Sequence, residues 1–196
     1  MMDEQHTNDT MAAGRHTFLK ITTADMVTVA LSAALIAVCA WISVPMAVPF
    51  TLQTFAIFTV AGLFGMKRGT LAMTVYLLLA AIGVPVLSGM TGGPDKLVGP
   101  TGGYLLGFVF IALMVGFVSD RWKRKILPLA LAMAAGLLVC YAFGTAWFML
   151  VYARRSGAVG LGTVLGWCVI PFILPDCAKI ACSLAVCHRA GRYVRF

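Results

Sequence analysis

Five long stretches without a charged residue constrain the fold of this 196-residue chain more than any other feature. They cover residues 26–66, 69–94, 97–119, 126–153 and 156–175. A membrane-spanning helix needs about 20 mostly apolar residues, so each stretch is long enough to cross a bilayer. Charged residues make up 11% of the chain, against about 25% in a typical soluble domain. We therefore predict a multi-pass protein of the lipid bilayer.

Prolines divide the first and longest of these stretches. Pro45 and Pro49 lack an amide donor and disfavour helix in the residue before them, so this stretch is expected to form two helices, at about residues 24–44 and 51–65. A loop with Lys67 and Arg68 should connect the second of them to a third helix at about residues 70–83. We predict an all-α integral membrane protein with about six transmembrane helices. The membrane domain spans residues 24–190, between a cytoplasmic N-terminal tail at residues 1–23 and a cytoplasmic C-terminal tail at residues 191–196. Acidic residues near the start argue against a cleavable signal peptide.

The net charge of +8 follows the order of these predicted helices. Eleven of the 15 basic residues fall on one side of the predicted topology, three on the other, and Lys179 within a span. Basic loops favour the cytoplasmic side, so both termini are predicted to be cytoplasmic and the location to be the cell inner (cytoplasmic) membrane. Arg154 and Arg155 on the outer side leave a five-helix arrangement open. This placement accounts for the charge without a nucleic-acid partner.

Motifs typical of catalysis are absent from the sequence. There is no Gly-x-x-x-x-Gly-Lys-Ser/Thr phosphate loop, no His-Glu-x-x-His and no Gly-x-Ser-x-Gly. The three histidines lie at the predicted cytoplasmic ends, and the six cysteines include no Cys-x-x-Cys pair. We predict that the chain is not an enzyme and holds no metal or cofactor. Transport driven by ATP would require a partner ATPase.

An acid and a base lie one helical turn apart in the last apolar segment, at Asp176 and Lys179. An ionisable group at membrane depth costs a few kcal/mol, which is typical of a site for a substrate, ion or proton. A structural ion pair that fixes helix register is the alternative. Proline suits the first position of a helix, so we predict that the last helix begins at Pro175. Asp176 would then lie in its first turn.

Further polar or flexible residues lie near the predicted outer ends of the helices. The segment 88–103 is rich in glycine and long for a connection, which predicts a lid or a pocket wall. Helix capping or an interhelical hydrogen bond is the alternative for Thr51 and Gln53, and an interfacial anchor is the alternative for Tyr104. With Asp176 and Lys179, the candidates for binding one small ligand are Thr51, Gln53, Ser88, Thr101, Gly102, Gly103 and Tyr104. Thr54 is a further polar group near the same end of the second predicted helix.

Small residues recur every three or four positions in the first predicted helix. Ala30, Ala33, Ala34 and Ala37 are expected to form one narrow, smooth face. Such faces allow two helix backbones to approach closely in lipid. Contact with a partner protein and internal packing are both open for this face.

Three separated motifs resemble the BioY family, the biotin-binding S components of energy-coupling factor (ECF) transporters. Residues 48–55 (Val-Pro-Phe-Thr-Leu-Gln-Thr-Phe) resemble its opening motif, and residues 99–108 (Gly-Pro-Thr-Gly-Gly-Tyr-Leu-Leu-Gly-Phe) its central signature. Residues 171–179, which end in Asp-x-x-Lys, resemble its C-terminal motif. The order and spacing of the motifs match the family. Two departures are a leucine and a proline directly before Asp176, and Asp95-Lys96 in the glycine-rich segment.

The resemblance implies a six-helix S component with a biotin pocket on its outer side. It implies association with a transmembrane T component and two cytoplasmic ABC-type ATPases, and it assigns the alanine face to T-component docking. In this interpretation Asp176 accepts the ureido N–H groups of biotin. Lys179 donates to the ureido carbonyl or to another acceptor, while Gln53, Thr101 and Tyr104 shape the walls.

Three other functions are alternatives. The first two are an S component for another vitamin and a self-sufficient biotin carrier without ATPases. The third is an integral membrane enzyme or quinone-linked subunit with Asp176 as proton donor. The lack of histidine, metal-ligand and paired-cysteine groups in the spans argues against the enzyme.

Overall fold

The structure is a computed structural model that describes residues 22–46, 48–157 and 159–193. Of the predicted tails, residues 1–21 and 194–196 lie outside the described residues. The described elements, in chain order, are α1 (Thr23–Trp41), β1 (Ser43–Val44), β2 (Phe50–Thr51), α2 (Gln53–Ala81), α3 (Pro94–Val98), α4 (Gly102–Arg121), α5 (Ile126–Ser156), α6 (Leu161–Cys168) and α7 (Ile170–Ala190).

Four helical regions of the described chain are long and apolar enough to cross a membrane. They are Thr23–Trp41, Gly102–Arg121, Ile126–Arg154 and Leu161–Ala190. The mostly helical membrane architecture is thus confirmed. The count of six spans and the cytoplasmic orientation of the termini stay predictions.

Helix α1 begins with a reciprocal cap and ends earlier than the sequence predicts. The Thr22 hydroxyl accepts from the Asp25 amide at 3.2 Å, and the Asp25 carboxylate accepts from the Thr22 amide at 2.9 Å. The predicted end near Val44 is wrong. The helix ends at Trp41 because β1 pairs with β2 in a short antiparallel hairpin, with Ser43 opposite Thr51.

Helix α2 contains a sharp break at Gly65 where the sequence predicts two helices joined by a loop. Gly65 has φ 76° and ψ −174°, a conformation that favours glycine, and helix resumes at once. A side-chain carbon at Gly65 would lie 2.0 Å from Asp120 Oδ1. The Asp120 carboxylate accepts from the Met66 amide at 2.9 Å. Because Asp120 satisfies this amide, the chain changes direction without a loop, and Lys67 and Arg68 are helical.

The centre of the molecule is formed by α4, which packs between α2 and α5. The helices approach closely at glycines: a side-chain carbon at Gly116 would lie 2.5 Å from Met66 Cα, and one at Gly107 would lie 2.8 Å from Cys140 Sγ. Helices α1 and α7 contact α2 from the outside of this layer. The two motifs that start α2 and α4 are therefore neighbours in space.

Basic and glycine-rich connections lie at opposite ends of the bundle. At the basic end, Arg124 donates to Leu63 O at 2.6 Å and to Gly191 O at 2.8 Å, which ties the α4–α5 turn to α2 and α7. At the other end, Trp41 Nε1 donates to Pro85 O and Trp147 Nε1 donates to Gly99 O, both at 2.9 Å. The alternation of connections that the charge pattern predicts agrees with this arrangement.

The prediction that the last helix begins at Pro175 is wrong. Helix α7 begins at Ile170, with a proline at position 171 in its first turn, and Pro175 lies inside it. Val169, with φ −128° and ψ −56°, separates α7 from the short helix α6. An internal proline removes one backbone hydrogen bond, which the helix tolerates here. Asp176 is therefore in the second turn, away from the end of the helix dipole.

Candidate ligand-binding site

The Asp176–Lys179 pair lies inside the protein, between α7, α2 and α5. Lys179 Nζ donates to Asp176 Oδ1 at 2.8 Å, and the two residues are 6% and 2% exposed. The Thr54 hydroxyl on α2 donates to Oδ1 at 3.3 Å, and the Tyr141 hydroxyl on α5 donates to Oδ2. Three elements thus supply donors to one carboxylate, which compensates its buried charge.

The ammonium group of Lys179 has capacity for further contacts. Its Nζ lies 4.2 Å from the centre of the Phe50 ring, within the range of a cation–π interaction. Among the described residues its only hydrogen bond goes to Asp176. An ammonium has three donors, so the geometry leaves two of them for a ligand.

A cavity opens beside this pair, and a second cavity adjoins it. The first encloses about 400 Å³, part of it open to solvent, and is lined by Asp176, Lys179, Thr51, Thr54, Tyr104, Tyr141, Val48, Pro49, Phe108, Leu137, Cys140, Cys168 and Phe172. The second encloses about 480 Å³ on the same measure and is lined by Gln53, Ser88, Thr91, Lys96, Thr101, Thr51, Tyr104, Val48, Pro49, Leu87, Leu105 and Phe108. We call them the head compartment and the tail compartment. They share five lining residues and so form one bipartite cleft.

Gln53 is the polar group of the tail compartment that most needs a partner. It is 3% exposed, and its Nε2 makes no hydrogen bond of good geometry among the described residues, although its side chain interacts with Tyr76. A buried donor without an acceptor is costly and calls for an explanation. Lys96, on the short helix α3, provides a cation at the exposed rim of the same compartment.

The structure gathers seven of the nine predicted ligand-binding residues around this cleft. Asp176 and Lys179 line the head compartment; Gln53, Ser88 and Thr101 line the tail compartment; Thr51 and Tyr104 line both. Tyr104 is buried and its hydroxyl lies 3.0 Å from Thr145 Oγ1, so it is not an interfacial anchor.

Gly102 and Gly103 line neither compartment. A side-chain carbon at Gly102 would lie 1.8 Å from Leu97 O, and one at Gly103 would lie 2.3 Å from Trp147 Cβ. Both therefore allow the start of α4 to pack against α3 and α5. They contribute to the cleft by positioning Tyr104, the next residue.

Sequence reasoning named Thr54 among the polar groups near the site but missed Tyr141 and Phe50. Phe50 belongs to the motif at residues 48–55, so its proximity to Thr51 and Gln53 was the available signal. Tyr141 lies in the long apolar helix α5 with no motif around it. Only the packing of α5 against α7 reveals its contact with Asp176.

The four alanines of α1 do not form one outward face. Ala33 and Ala37 are buried inside the protein, whereas Ala30 and Ala34 are exposed. The two pairs lie on adjacent stripes of the helix, and α2 covers only one of them. The surface open to a partner is therefore the Ala30–Ala34 stripe, flanked by the exposed Leu31 and Leu35.

The sequence pattern of the BioY family matches residues 9–196. The chain belongs to the BioY family. Among its relatives, the biotin transporter BioY of Thermotoga maritima is 40% identical over 161 residues, which are 80% of this chain and 89% of that protein. The probable biotin transporter BioY of Pyrococcus horikoshii is 38% identical over 162 residues, 82% of this chain and 92% of that protein.

A solved structure shares the fold of this family member. It is described as the S-component for biotin from an ECF-type ABC transporter, and it superposes with a TM-score of 0.77 at 26% sequence identity. The match covers 92% of this chain and 100% of the solved one. The resemblance inferred from the three sequence motifs is confirmed.

Proposed function

We propose that this chain is the biotin-binding and translocating S component of an ECF-type vitamin transporter in the cytoplasmic membrane. The observation that carries the proposal is the buried Asp176–Lys179 pair on the wall of a cleft, in a member of the BioY family. A self-sufficient biotin carrier and an S component for another vitamin are the alternatives, and the experiments below separate them.

The head compartment suits the ureido ring of biotin, which offers two N–H donors and one carbonyl acceptor. A carboxylate has about four lone-pair sites, and Asp176 uses three of them for Lys179, Thr54 and Tyr141. One site is left for a ligand N–H, while Lys179 has two free donors for the carbonyl. The ring therefore binds without breaking the ion pair, which avoids stranding a buried charge.

The remainder of biotin fits the wall between the two compartments and the tail compartment. The side chains of Phe108, Leu137 and Phe172 offer apolar contacts to the thioether ring. The carboxylate tail then points to Lys96 and to the Gln53 amide, which supply a cation and an unused N–H donor. Two polar ends separated by an apolar middle match the order of chemical groups along biotin.

Tight binding of so small a ligand requires a large binding free energy per atom. Biotin has about 16 heavy atoms, so nanomolar affinity, about −12 kcal/mol, requires roughly 0.75 kcal/mol per atom. Such efficiency needs a preformed site, and the contacts from α2 and α5 to Asp176 hold the head compartment in place without ligand.

The same donors argue against a membrane enzyme that uses Asp176 to deliver a proton. Three hydrogen-bond donors converge on this carboxylate, so Asp176 acts here as a hydrogen-bond acceptor and not as a donor. The described residues also contain no cluster of histidine, cysteine or acidic side chains able to hold a metal ion.

The direct test is titration of the purified, detergent-solubilised chain with biotin by calorimetry. We expect one site of nanomolar affinity. Thiamine and riboflavin, which lack a cyclic urea with two N–H donors, serve as controls for an S component with another substrate. Tight binding of either vitamin, with no heat from biotin, would overturn the proposed substrate.

Partnership with a T component and two ABC-type ATPases is tested at the exposed stripe of α1. Ala34→Trp adds bulk where a partner helix would approach, so we expect loss of ATP-dependent uptake and of T-component co-purification while biotin binding persists. Ala33→Trp is the matched control, since it faces α2 and should lower folding yield instead. If uptake and T-component co-purification both survive in the Ala34 variant, this stripe is not the docking surface. Uptake that survives without co-purification would support the carrier that works without ATPases.

A further inference from the structure

Helix α7 carries the charged pair of the site but is held by little apolar packing. In the most apolar part of Leu161–Ala190, 22% of the residues are buried inside the protein, whereas 56% are buried in the corresponding part of α4. Lipid is as apolar as a leucine side chain, so no hydrophobic effect presses α7 onto its neighbours. The break at Val169 and the internal Pro175 also weaken its link to the preceding chain. Polar contacts must therefore fix its rotation.

These contacts lie on a single face of α7. Asp176, Lys179, Ser183 and Cys187 are all buried, and their spacing of three and four residues places them on one side of the helix. The Ser183 and Thr59 hydroxyls lie 3.0 Å apart, and Cys187 Sγ lies 3.9 Å from Thr59 O. We call this set of contacts the α2–α7 seam.

The seam joins the same two helices at two levels. Thr54 reaches Asp176 inside the cleft, and Thr59 reaches Ser183 outside it. Ser183 follows Asp176 by seven residues, or about 10.5 Å along the helix. Neither Thr59 nor Ser183 lines the head or the tail compartment, so neither contacts a bound ligand directly.

From this geometry we propose that the Thr59–Ser183 hydrogen bond positions the Asp176–Lys179 pair for biotin, a role that rests on the proposed function. Side chains reach about 5 to 6 Å from a helix axis, so a rotation of about 20° displaces them by roughly 2 Å. A displacement of that size separates the carboxylate from a ligand N–H. Thr59 and Ser183 thus set the rotation of α7 from a level of the helix that the ligand does not reach.

The test compares three threonine variants by biotin calorimetry and thermal unfolding. Thr59→Val keeps the shape but removes the hydroxyl, and should weaken biotin binding roughly 3- to 20-fold, the range that single interhelical hydrogen bonds support. Thr59→Ser keeps the hydroxyl and should bind within about 2-fold of the parent. Thr74→Val is the control, because within the described chain the Thr74 hydroxyl bonds only to Thr70 O in its own helix. If Thr59→Val does not fold, Ser183→Ala removes the other hydroxyl of the same pair.

A double-mutant cycle separates positioning from general destabilisation. If Thr59 acts through Asp176, the loss caused by Thr59→Val should fall below about 2-fold in an Asp176→Asn background, since interacting sites are not additive. An undiminished loss in that background would overturn the proposal, and so would unchanged affinity of the single variant. A parent chain that does not bind biotin is a separate result: it refutes the proposed function and this inference with it.

Discussion

The head and tail compartments of the cleft differ in how completely their polar groups are paired. In the head compartment, Asp176 is bonded to three donors and the pair is buried. In the tail compartment, the buried Gln53 amide nitrogen makes no hydrogen bond of good geometry within the described part of the chain, and Lys96 is exposed at the rim. The first is preorganised before a ligand arrives, whereas the second is completed by it. We infer that the head compartment supplies most of the affinity and the tail compartment adjusts it.

The largest effect is expected from Asp176→Asn, which tests the dominance of the head compartment. The change keeps the volume, replaces one acceptor by a donor and leaves Lys179 without its counter-charge. It should cost about 2 to 5 kcal/mol of binding, roughly 30- to several-thousand-fold in affinity, measured by biotin calorimetry.

The control for that variant is the double change Asp176→Asn with Lys179→Met. An unpaired buried ammonium destabilises the fold, so removing it should return any expression that Asp176→Asn loses, while the affinity for biotin stays low. Binding like that of the parent would show that the pair is structural and that the ligand contacts other residues.

A smaller effect, with opposite signs on stability and binding, is expected from Gln53→Leu. Removing a buried amide nitrogen that makes no well-formed hydrogen bond among the described residues should raise the melting temperature of the ligand-free protein. Biotin affinity should fall by about 1 kcal/mol, or roughly 5-fold, because the amide no longer donates to the ligand. Thermal unfolding with and without biotin reads both quantities. A loss of stability in the ligand-free state would mean that the amide already has a partner.

The smallest effect is expected from Lys96→Gln at the exposed rim. Its charge is screened by solvent, so affinity for biotin should fall only about 2- to 5-fold in low salt, and less at high ionic strength. The amide of biotin, which has lost the carboxylate charge, should bind the parent and the variant equally. If the variant binds the amide more weakly than the parent does, Lys96 does not contact the carboxylate.

The sequence revealed those site residues whose chemical type is rare in the surrounding stretch of chain. An acid and a base inside an apolar helix are costly, so Asp176 and Lys179 stood out without any structure. Tyr141 did not, because a single tyrosine in a long apolar helix is equally suited to core packing, and its role depends on which way α5 faces. Such contacts are set by tertiary packing, which local patterns do not encode.

The boundaries of the helices were predictable only where one signal dominated. Pro171 and Pro175 are both acceptable in a first turn, and the helix takes the earlier start, where Phe172 is buried and packs against Phe50. Lys67 and Arg68 suggested a loop, but the chain turns at Gly65 and Asp120 accepts from the amide of the next residue, Met66. The alanines of α1 gave the right helix and the wrong single face, since periodicity does not say which of two adjacent stripes α2 covers.

The break at Gly65 has a consequence for the surrounding membrane. It divides α2 into segments of about 18 Å and 24 Å at 1.5 Å per residue, both shorter than the roughly 30 Å hydrocarbon core. Neighbouring helices cover most of the first segment, but the second exposes Leu71 and Leu78. The hydrocarbon core beside it must become thinner by about 6 Å, which costs a fraction of a kcal/mol per Å of mismatch. Otherwise the polar ends of the segment lie in hydrocarbon. Acyl-chain length in the host membrane therefore influences this protein through a hydrophobic mismatch confined to one side of it.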